Sequence, residues 1–198
     1  MPGKPIATPS QTVGPFFHIG LDRPDWADLA AAGAQGERLV IEGRVIDGAG
    51  APVPDACLEL WQANAAGRYA HPEDAGNDRP LDPNFRGFGR VSTDAEGRFR
   101  FATIRPGPVP GRGNALQAPH IAVALFARGL LKQLYTRIYF AGDPRNETDP
   151  VLLAIEEPER RQTLIAKPPD DTSAEGGART YRFDIVMQGD HETVFFDL

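Results

Sequence analysis

The feature that most constrains the fold is a series of short segments in which apolar and polar residues alternate, with turns rich in glycine and proline between them. The clearest segments are 39–45, 56–62, 98–101, 120–127, 134–140 and 181–187. A period of two is typical of strands that bury one face. The 198 residues include 21 glycines and 19 prolines, which favours a turn-rich β protein over a helical one. We therefore predict an all-β fold, an antiparallel β-sandwich with long loops.

Two regions depart from the strand pattern. Residues 8–17 hold two prolines and a glycine beside two phenylalanines, so this segment suits neither a helix interior nor a central strand. We expect residues 1–36 to form an extended arm that packs on a partner subunit, with a short helix only over 25–32, and residues 37–198 to form the sandwich. Good helix-start signals at Asp149-Pro150 predict one or two short helices in the region that follows.

Composition excludes several classes of function. The formal net charge of -6 argues against a nucleic acid or an anionic membrane as partner. The chain contains no apolar run near the roughly 20 residues that span a bilayer, and its N-terminus lacks the apolar region of a secretory signal. A single cysteine, Cys57, excludes an internal disulfide and a cysteine-based zinc site. We expect a cytoplasmic protein that uses neither nucleic acid nor membrane.

The residues that could hold a metal are few. The four histidines are never two residues apart, the spacing that would present two imidazoles on one face of a strand. The nearest approach is His120-Ile121-Ala122, in which the methyl group of Ala122 cannot coordinate a metal. Tyr69 lies at the start of a long polar loop and could supply a phenolate oxygen, whereas the other tyrosines lie in strand patterns that indicate packing.

Arg128 is the most specific candidate for binding a small molecule. It follows an apolar strand and precedes a glycine. A cation in this place could bind a carboxylate bidentately, or it could pair with a neighbouring acidic residue of the same chain. Residue chemistry alone leaves both interpretations open. Motifs for a nucleophilic serine or a phosphate loop are absent from the sequence.

An ordered series of segments resembles the intradiol ring-cleaving dioxygenases. The segments are TPSQTVGP at 8–15, ELWQAN at 59–64, GRY at 67–69, LDPNF at 81–85, FGR at 88–90, RPG at 105–107, APHI at 118–121, LFARG at 125–129, YRFDI at 181–185 and ETVFFD at 192–197. One of them alone would be weak, but the series covers most of the chain in order and is specific.

The resemblance implies a metal site that has lost half of its ligands. In that family, ferric iron is held by two tyrosines and two histidines. Tyr69 and His120 match one ligand of each kind, while Val109 and Ala122 stand at the two other ligand positions. An arginine expected shortly before the histidines is replaced by Gln117. The resemblance thus implies a vestigial metal site, with no bound metal and no catalytic residue in this chain.

The resemblance is to the α-type subunits of the family, which accompany a β subunit. It implies a higher assembly of αβ protomers, with Fe(III) held by the β subunit. The implied substrate is 3,4-dihydroxybenzoate, whose ring is opened by O2 between the hydroxylated carbons to give 3-carboxy-cis,cis-muconate. Thr12, Gly14, Pro15 and Arg128 match positions that line the substrate pocket around the β-subunit iron.

Two other classes stay open at this point. A catalytic homo-oligomeric dioxygenase would need the ligands that Val109 and Ala122 replace. A ligand-binding or carrier module on a transthyretin-like sandwich is compatible with the same strand pattern, because a fold does not determine a function.

Overall fold

The computed structural model describes residues 6–21, 23–74, 76–111, 113, 115–169 and 178–197. Its strands are β1 (Arg38–Ile46), β2 (Cys57–Trp61), β3 (Phe88–Ser92), β4 (Arg98–Ile104), β5 (Val109–Pro110), β6 (Leu116–Gln117), β7 (His120–Phe126), β8 (Leu134–Phe140), β9 (Ile165–Ala166), β10 (Arg179–Arg182) and β11 (Ile185–Val186). Its α-helices are α1 (Pro15–Leu21), α2 (Pro150–Leu153) and α3 (Pro158–Arg161). Short 3-10 helices lie at Pro24–Trp26, Pro72–Asp74, Pro144–Thr148 and Gln162–Leu164.

The strands form two main sheets that pack face to face. In the four-stranded sheet, β1 pairs antiparallel with β4 on one side and parallel with β10 and then β11 on the other. The five-stranded sheet has the order β3-β2-β7-β8-β9, antiparallel except for the β8–β9 pair. A two-stranded ribbon of β5 and β6 lies beside them. The all-β sandwich is confirmed, and its sheets are mixed rather than purely antiparallel.

The alternation in β7 shows how the sequence separates core from site. Ile121, Val123 and Leu125 point inward and are at most 1% exposed. Burial of each such side chain contributes about 1.5–3 kcal/mol. His120 and Ala122 therefore lie on the opposite face of the five-stranded sheet, because successive side chains of a strand point to opposite sides. The period of two thus determines which residues of β7 can take part in a site outside the main core.

The N-terminal segment contains a helix that the sequence did not predict. Residues 15–21 form α1, although residues 8–17 suited neither helix nor central strand. The reason is that Pro15 occupies the first helical position, where its missing N–H would have no partner in any case. The proline therefore starts the helix instead of breaking it.

The short helix expected over 25–32 is reduced to the three-residue 3-10 helix at Pro24–Trp26. Beyond it the chain forms isolated bridges from Asp28 to Ala102 on β4 and from Ala30 to Phe85, in the loop just before β3. Leu29 and Ala30 are at most 1% exposed and belong to the main core. The last part of the first 36 residues is therefore built into the sandwich.

The strand expected over 181–187 is interrupted. It forms β10 and β11, which both pair with β1 but are separated by Phe183 and Asp184. The carbonyl of Phe183 sits where a side chain on Gly43 would be, and Asp184 Oδ1 accepts a hydrogen bond from the backbone N–H of Arg44 at 2.9 Å. A side-chain bond thus replaces a ladder bond at this point, while Tyr181, Phe183 and Ile185 still alternate as buried residues.

The one or two short helices predicted after Asp149 are present as α2 and α3. Pro150 and Pro158 begin them, as expected for prolines in a first helical turn. Together with the 3-10 helix at 162–164 and the C-terminal segment, they cover the outer face of β8 with a second small core, formed around Tyr139, Leu152 and Leu164. None of the helices in the described residues has the length and apolar character that crossing a membrane requires.

Candidate functional site

The outer face of the five-stranded sheet carries two adjacent cross-strand rows. Trp61 on β2 lies opposite Ala122 on β7, which lies opposite Arg137 on β8. In the next row, His120 pairs with Tyr139 and their rings are 5.5 Å apart. Directly opposed residues of paired strands share a face, so all five side chains lie on this surface.

The loops bring Tyr69 and Val109 to the same surface. The ring of Tyr69 stacks on Trp61, with centroids 5.6 Å apart and planes 11° from parallel. Val109 pairs with Gln117 in the β5–β6 ribbon, and Gln117 lies three residues before His120 in the chain. The four positions at which the resemblance implied metal ligands therefore meet around the rows of the sheet. We call this site, formed by Tyr69, Val109, Gln117, His120, Ala122, Arg137 and Tyr139, the sheet-face pocket.

Arg137 enters this pocket from β8. Its Nη1 donates to Gln117 Oε1 at 2.6 Å and to Tyr139 Oη at 3.3 Å, and its guanidinium lies 6.0 Å from the ring centroid of Phe196. Among the described residues, no carboxylate lies within ion-pair distance of this guanidinium. A cation held only by neutral groups is thus a fixed part of the pocket.

Asp149 supports the pocket from behind. The residue is 0% exposed, and its carboxylate accepts hydrogen bonds from Tyr139 Oη at 3.2 Å and from the backbone N–H of Ala118 at 2.7 Å. It also accepts from the N–H groups of Val151 and Leu152, at 2.9 Å each, and so caps α2. Tyr139 therefore connects the guanidinium of Arg137 to a buried negative charge.

The titratable groups of the pocket favour their neutral forms. His120 Nδ1 lies 2.7 Å from the carbonyl oxygen of Ala118, so this nitrogen carries the proton and donates it. Burial, assisted by the positive charge of Arg137, lowers the pKa of His120 to about 4. Burial raises the pKa of Tyr69 above its usual value, an effect that Arg137 partly opposes. At neutral pH the pocket holds a neutral imidazole, a protonated phenol and a guanidinium.

These residues do not fit a ferric ion. Of the four ligand positions, only Tyr69 and His120 offer donors, since Val109 and Ala122 are apolar. The donor set, together with a fixed cation beside it, argues against metal binding in this pocket.

The residues expected to bind substrate lie at a different edge. The backbone N–H of Gly129 donates to Thr12 Oγ1 at 2.7 Å, which ties the N-terminal segment to the residue after Arg128. The rings of Phe17 and Phe126 are 5.4 Å apart and strengthen this contact. We call this region, formed by residues 11–17 and 126–131, the arm edge. The structure thus brings Thr12 and the neighbourhood of Arg128 together.

The other predicted residues of the arm edge are placed as follows. Gly14 is exposed, and its carbonyl accepts from the N–H of Phe17 at the start of α1. Pro15 begins α1, and its side chain lies outside the described part of the chain. The Arg128 side chain is 66% exposed and pairs with Asp55 at 3.2 Å. Of the two interpretations of Arg128, pairing within the chain is what the structure shows, and substrate binding stays a prediction.

The arm edge and the sheet-face pocket are far apart. They lie at opposite ends of β7, and the strand from His120 to Phe126 spans about 20 Å. Thr12 and Arg128 therefore cannot serve a molecule bound at His120 of the same chain. If they bind a small molecule, that molecule sits at the arm edge.

The sequence does not indicate the roles of three residues in or behind the pocket. Its patterns predict strand packing for Tyr139 and a helix cap for Asp149, and they give Arg137 no role. The one available signal was that Arg137 and Tyr139 are two apart in a strand pattern and so share a face. Their position opposite Ala122 and His120 follows from the β7–β8 register, which the sequence does not reveal.

Comparisons with known proteins agree with this architecture. A family model described as Dioxygenase matches residues 14–189. The protocatechuate 3,4-dioxygenase alpha chain of Pseudomonas putida is 44% identical over 96% of this chain and 96% of its own length. The protocatechuate 3,4-dioxygenase beta chain of Burkholderia cepacia is 49% identical, over 78% of this chain and 66% of its own length.

Solved structures extend the agreement to the fold. The dioxygenase domain of a dioxygenase carbohydrate-binding protein fusion from Streptomyces sp. SirexAA-E is 28% identical, with a TM-score of 0.59 over 90% of this chain and 97% of that one. The family model covers both the sheet-face pocket and most of the arm edge. The chain therefore belongs to the intradiol ring-cleavage dioxygenase family.

Proposed function

We propose that this chain is the α subunit of a protocatechuate 3,4-dioxygenase and works with a β subunit that holds the catalytic Fe(III). In this assignment the complex opens the ring of 3,4-dihydroxybenzoate between its hydroxylated carbons with O2, and releases 3-carboxy-cis,cis-muconate. Iron on the partner supplies the activation of the substrate and O2. This chain supplies part of the wall of the partner's substrate pocket.

The observation that carries the proposal is the presence of Val109 and Ala122 at two of the four donor positions of a pocket that is otherwise assembled. Similarity to a named alpha chain over almost the full length of both supports it. Similarity to a named beta chain supports descent of the two subunits from one ancestral sandwich domain. A carrier module gains no support, because the relatives and the family model are dioxygenases.

Arg128 is the residue of this chain that we assign to the substrate. Its guanidinium is two-thirds exposed and its partner Asp55 is itself partly exposed, so an ion pair in this place is weak and exchangeable. A substrate carboxylate could therefore share or replace Asp55. A bidentate bond from arginine would orient the aromatic ring relative to the partner's iron.

The arm would complete the same wall. Thr12 is tied to Gly129, so the position of the arm is coupled to that of Arg128. Phe16 and Leu131 are 81% and 63% exposed, and large apolar side chains clustered on one edge are typical of surfaces that another subunit covers. We propose that residues 1–36 make part of the contact with the β subunit, and that αβ protomers assemble further.

The test uses the complex of this chain with its co-expressed β subunit. Arg128→Ala is expected to raise the KM for 3,4-dihydroxybenzoate about tenfold, the loss of one charge-assisted bond, with iron per complex unchanged. The matched control is Arg145→Ala, which removes an exposed arginine from the 3-10 helix at 144–148. Unchanged kinetics in the Arg128 variant would refute the assigned role, and failure of the chains to co-purify would refute the subunit assignment.

A cytoplasmic location is part of the same proposal. The substrate and product are small organic anions that neither a membrane nor a nucleic acid would retain, and the chain itself has a net charge of -6. Cell fractionation with an antibody against this chain tests it, and recovery in the membrane or exported fraction would contradict it.

A further inference from the structure

Arg137 occupies an unusual place for a charged side chain. It reaches the centre of the sheet-face pocket from the position directly opposite Ala122. A histidine at residue 122 would share that face and lie beside the Arg137 side chain, because opposed residues have Cβ atoms about 5 Å apart. The small side chain of Ala122 is thus matched to the large one across from it.

The hydrogen bonds of Arg137 connect the β5–β6 ribbon, which contains Val109, to the row of the sheet that contains His120. A metal bound at the four ligand positions would connect the same two elements. One nitrogen bonds both Gln117, from the ribbon that contains Val109, and Tyr139, from the row that contains His120. Through Tyr139 the network reaches the buried carboxylate of Asp149. Arg137 also lies close to both remaining donors, because its row ends at Trp61, on which Tyr69 stacks, and the next row contains His120.

We propose that Arg137 takes the place of a metal ion's positive charge in this pocket, so that its guanidinium, and not only the loss of two donors, excludes iron from this chain. A second cation near a guanidinium in a partly buried site is repelled much more strongly than in water. The same side chain donates hydrogen bonds to Gln117 and Tyr139. This inference rests on the proposed function, in which the iron belongs to the partner.

The test restores the missing donors with and without the cation. In the full chain, V109Y/A122H supplies two tyrosines and two histidines while Arg137 stays in place, and V109Y/A122H/R137Q removes its charge. We expect at least tenfold tighter Fe(III) binding in the triple variant, with the visible absorption of a ferric phenolate. V109Y/A122H/R137K, which keeps a cation, and V109Y/A122H/R145Q, which neutralises an exposed arginine elsewhere, are expected to behave as V109Y/A122H.

Two results would overturn the inference. One is equal iron binding by V109Y/A122H and V109Y/A122H/R137Q, with both folded by circular dichroism. The other is stoichiometric iron in V109Y/A122H alone. If the triple variant does not fold, the smaller pair A122H and A122H/R137Q is titrated with Ni²⁺, since histidines two apart on a strand form a bidentate site. The same tenfold difference is expected, and its absence refutes the role of Arg137.

Failure of the proposed function gives a different result. Iron bound stoichiometrically by the unmodified chain would refute the assignment of iron to the partner. Iron absent from the unmodified chain but bound by V109Y/A122H would leave that assignment intact and refute only the role of Arg137.

Discussion

Replacing Asp149 by alanine is expected to lower the free energy of unfolding of the chain strongly. The carboxylate is fully buried and accepts four hydrogen bonds, from Ala118, Val151, Leu152 and Tyr139. Loss of a helix cap costs about 1 kcal/mol, and a buried N–H that loses a charged acceptor costs about 1.5–3 kcal/mol. With the Tyr139 hydroxyl also left unpaired, we expect a loss of about 3–5 kcal/mol.

Urea unfolding followed by tryptophan fluorescence measures this loss, since Trp26 and Trp61 lie in different parts of the fold. Asp149→Asn keeps an acceptor for the cap and is expected to lose clearly less. Asp197→Ala removes an exposed carboxylate whose ion-pair partner among the described residues is the exposed Lys132, and it is expected to leave the midpoint unchanged. A loss below about 1 kcal/mol in Asp149→Ala would refute the supporting role of Asp149.

Three further predictions concern stability and assembly. Burial lowers the pKa of His120 to about 4 in the folded chain. As the pH falls, the unfolded chain therefore takes up a proton on this histidine before the folded chain does. The free energy of unfolding is expected to decrease by on the order of 3 kcal/mol between about pH 6.5 and pH 4. Urea midpoints at several pH values should show a shallower fall in His120→Gln, and an unchanged slope would contradict the assignment. Gly43→Ala places a Cβ against the Phe183 carbonyl and is expected to lower the thermal midpoint sharply, whereas Gly20→Ala, with open space around it, is not; equal midpoints would refute the close approach. Deletion of residues 1–17 removes the contacts of the arm edge and is expected to prevent stable association with the β subunit in size-exclusion chromatography; a fully active complex without these residues would disprove the role of the arm.

Local signals in the sequence predict the elements of this fold better than their pairing. The alternation in 120–127 and 134–140 gives the strands and their inward faces because burial of one face imposes a period of two. The signal at Asp149-Pro150 predicts α2 because capping depends on residues next to each other. The break between β10 and β11 depends instead on Gly43 and Arg44, about 140 positions earlier in the chain.

The candidate site divides in the same way. Tyr69, Val109, His120 and Ala122 could be singled out through segments that resemble the family, and the structure brings them to one surface. Arg137 could not be singled out, because its role depends on lying opposite Ala122, and a change of one residue in register would turn it to the other face.

The most direct test of the account is an X-ray diffraction measurement at the iron absorption edge on crystals of this chain in complex with its β subunit. The anomalous signal locates each iron atom without reference to its ligands. The account predicts one iron site per αβ pair, on the partner, and no peak between Tyr69 and His120 of this chain. A peak in the sheet-face pocket at comparable occupancy would contradict it.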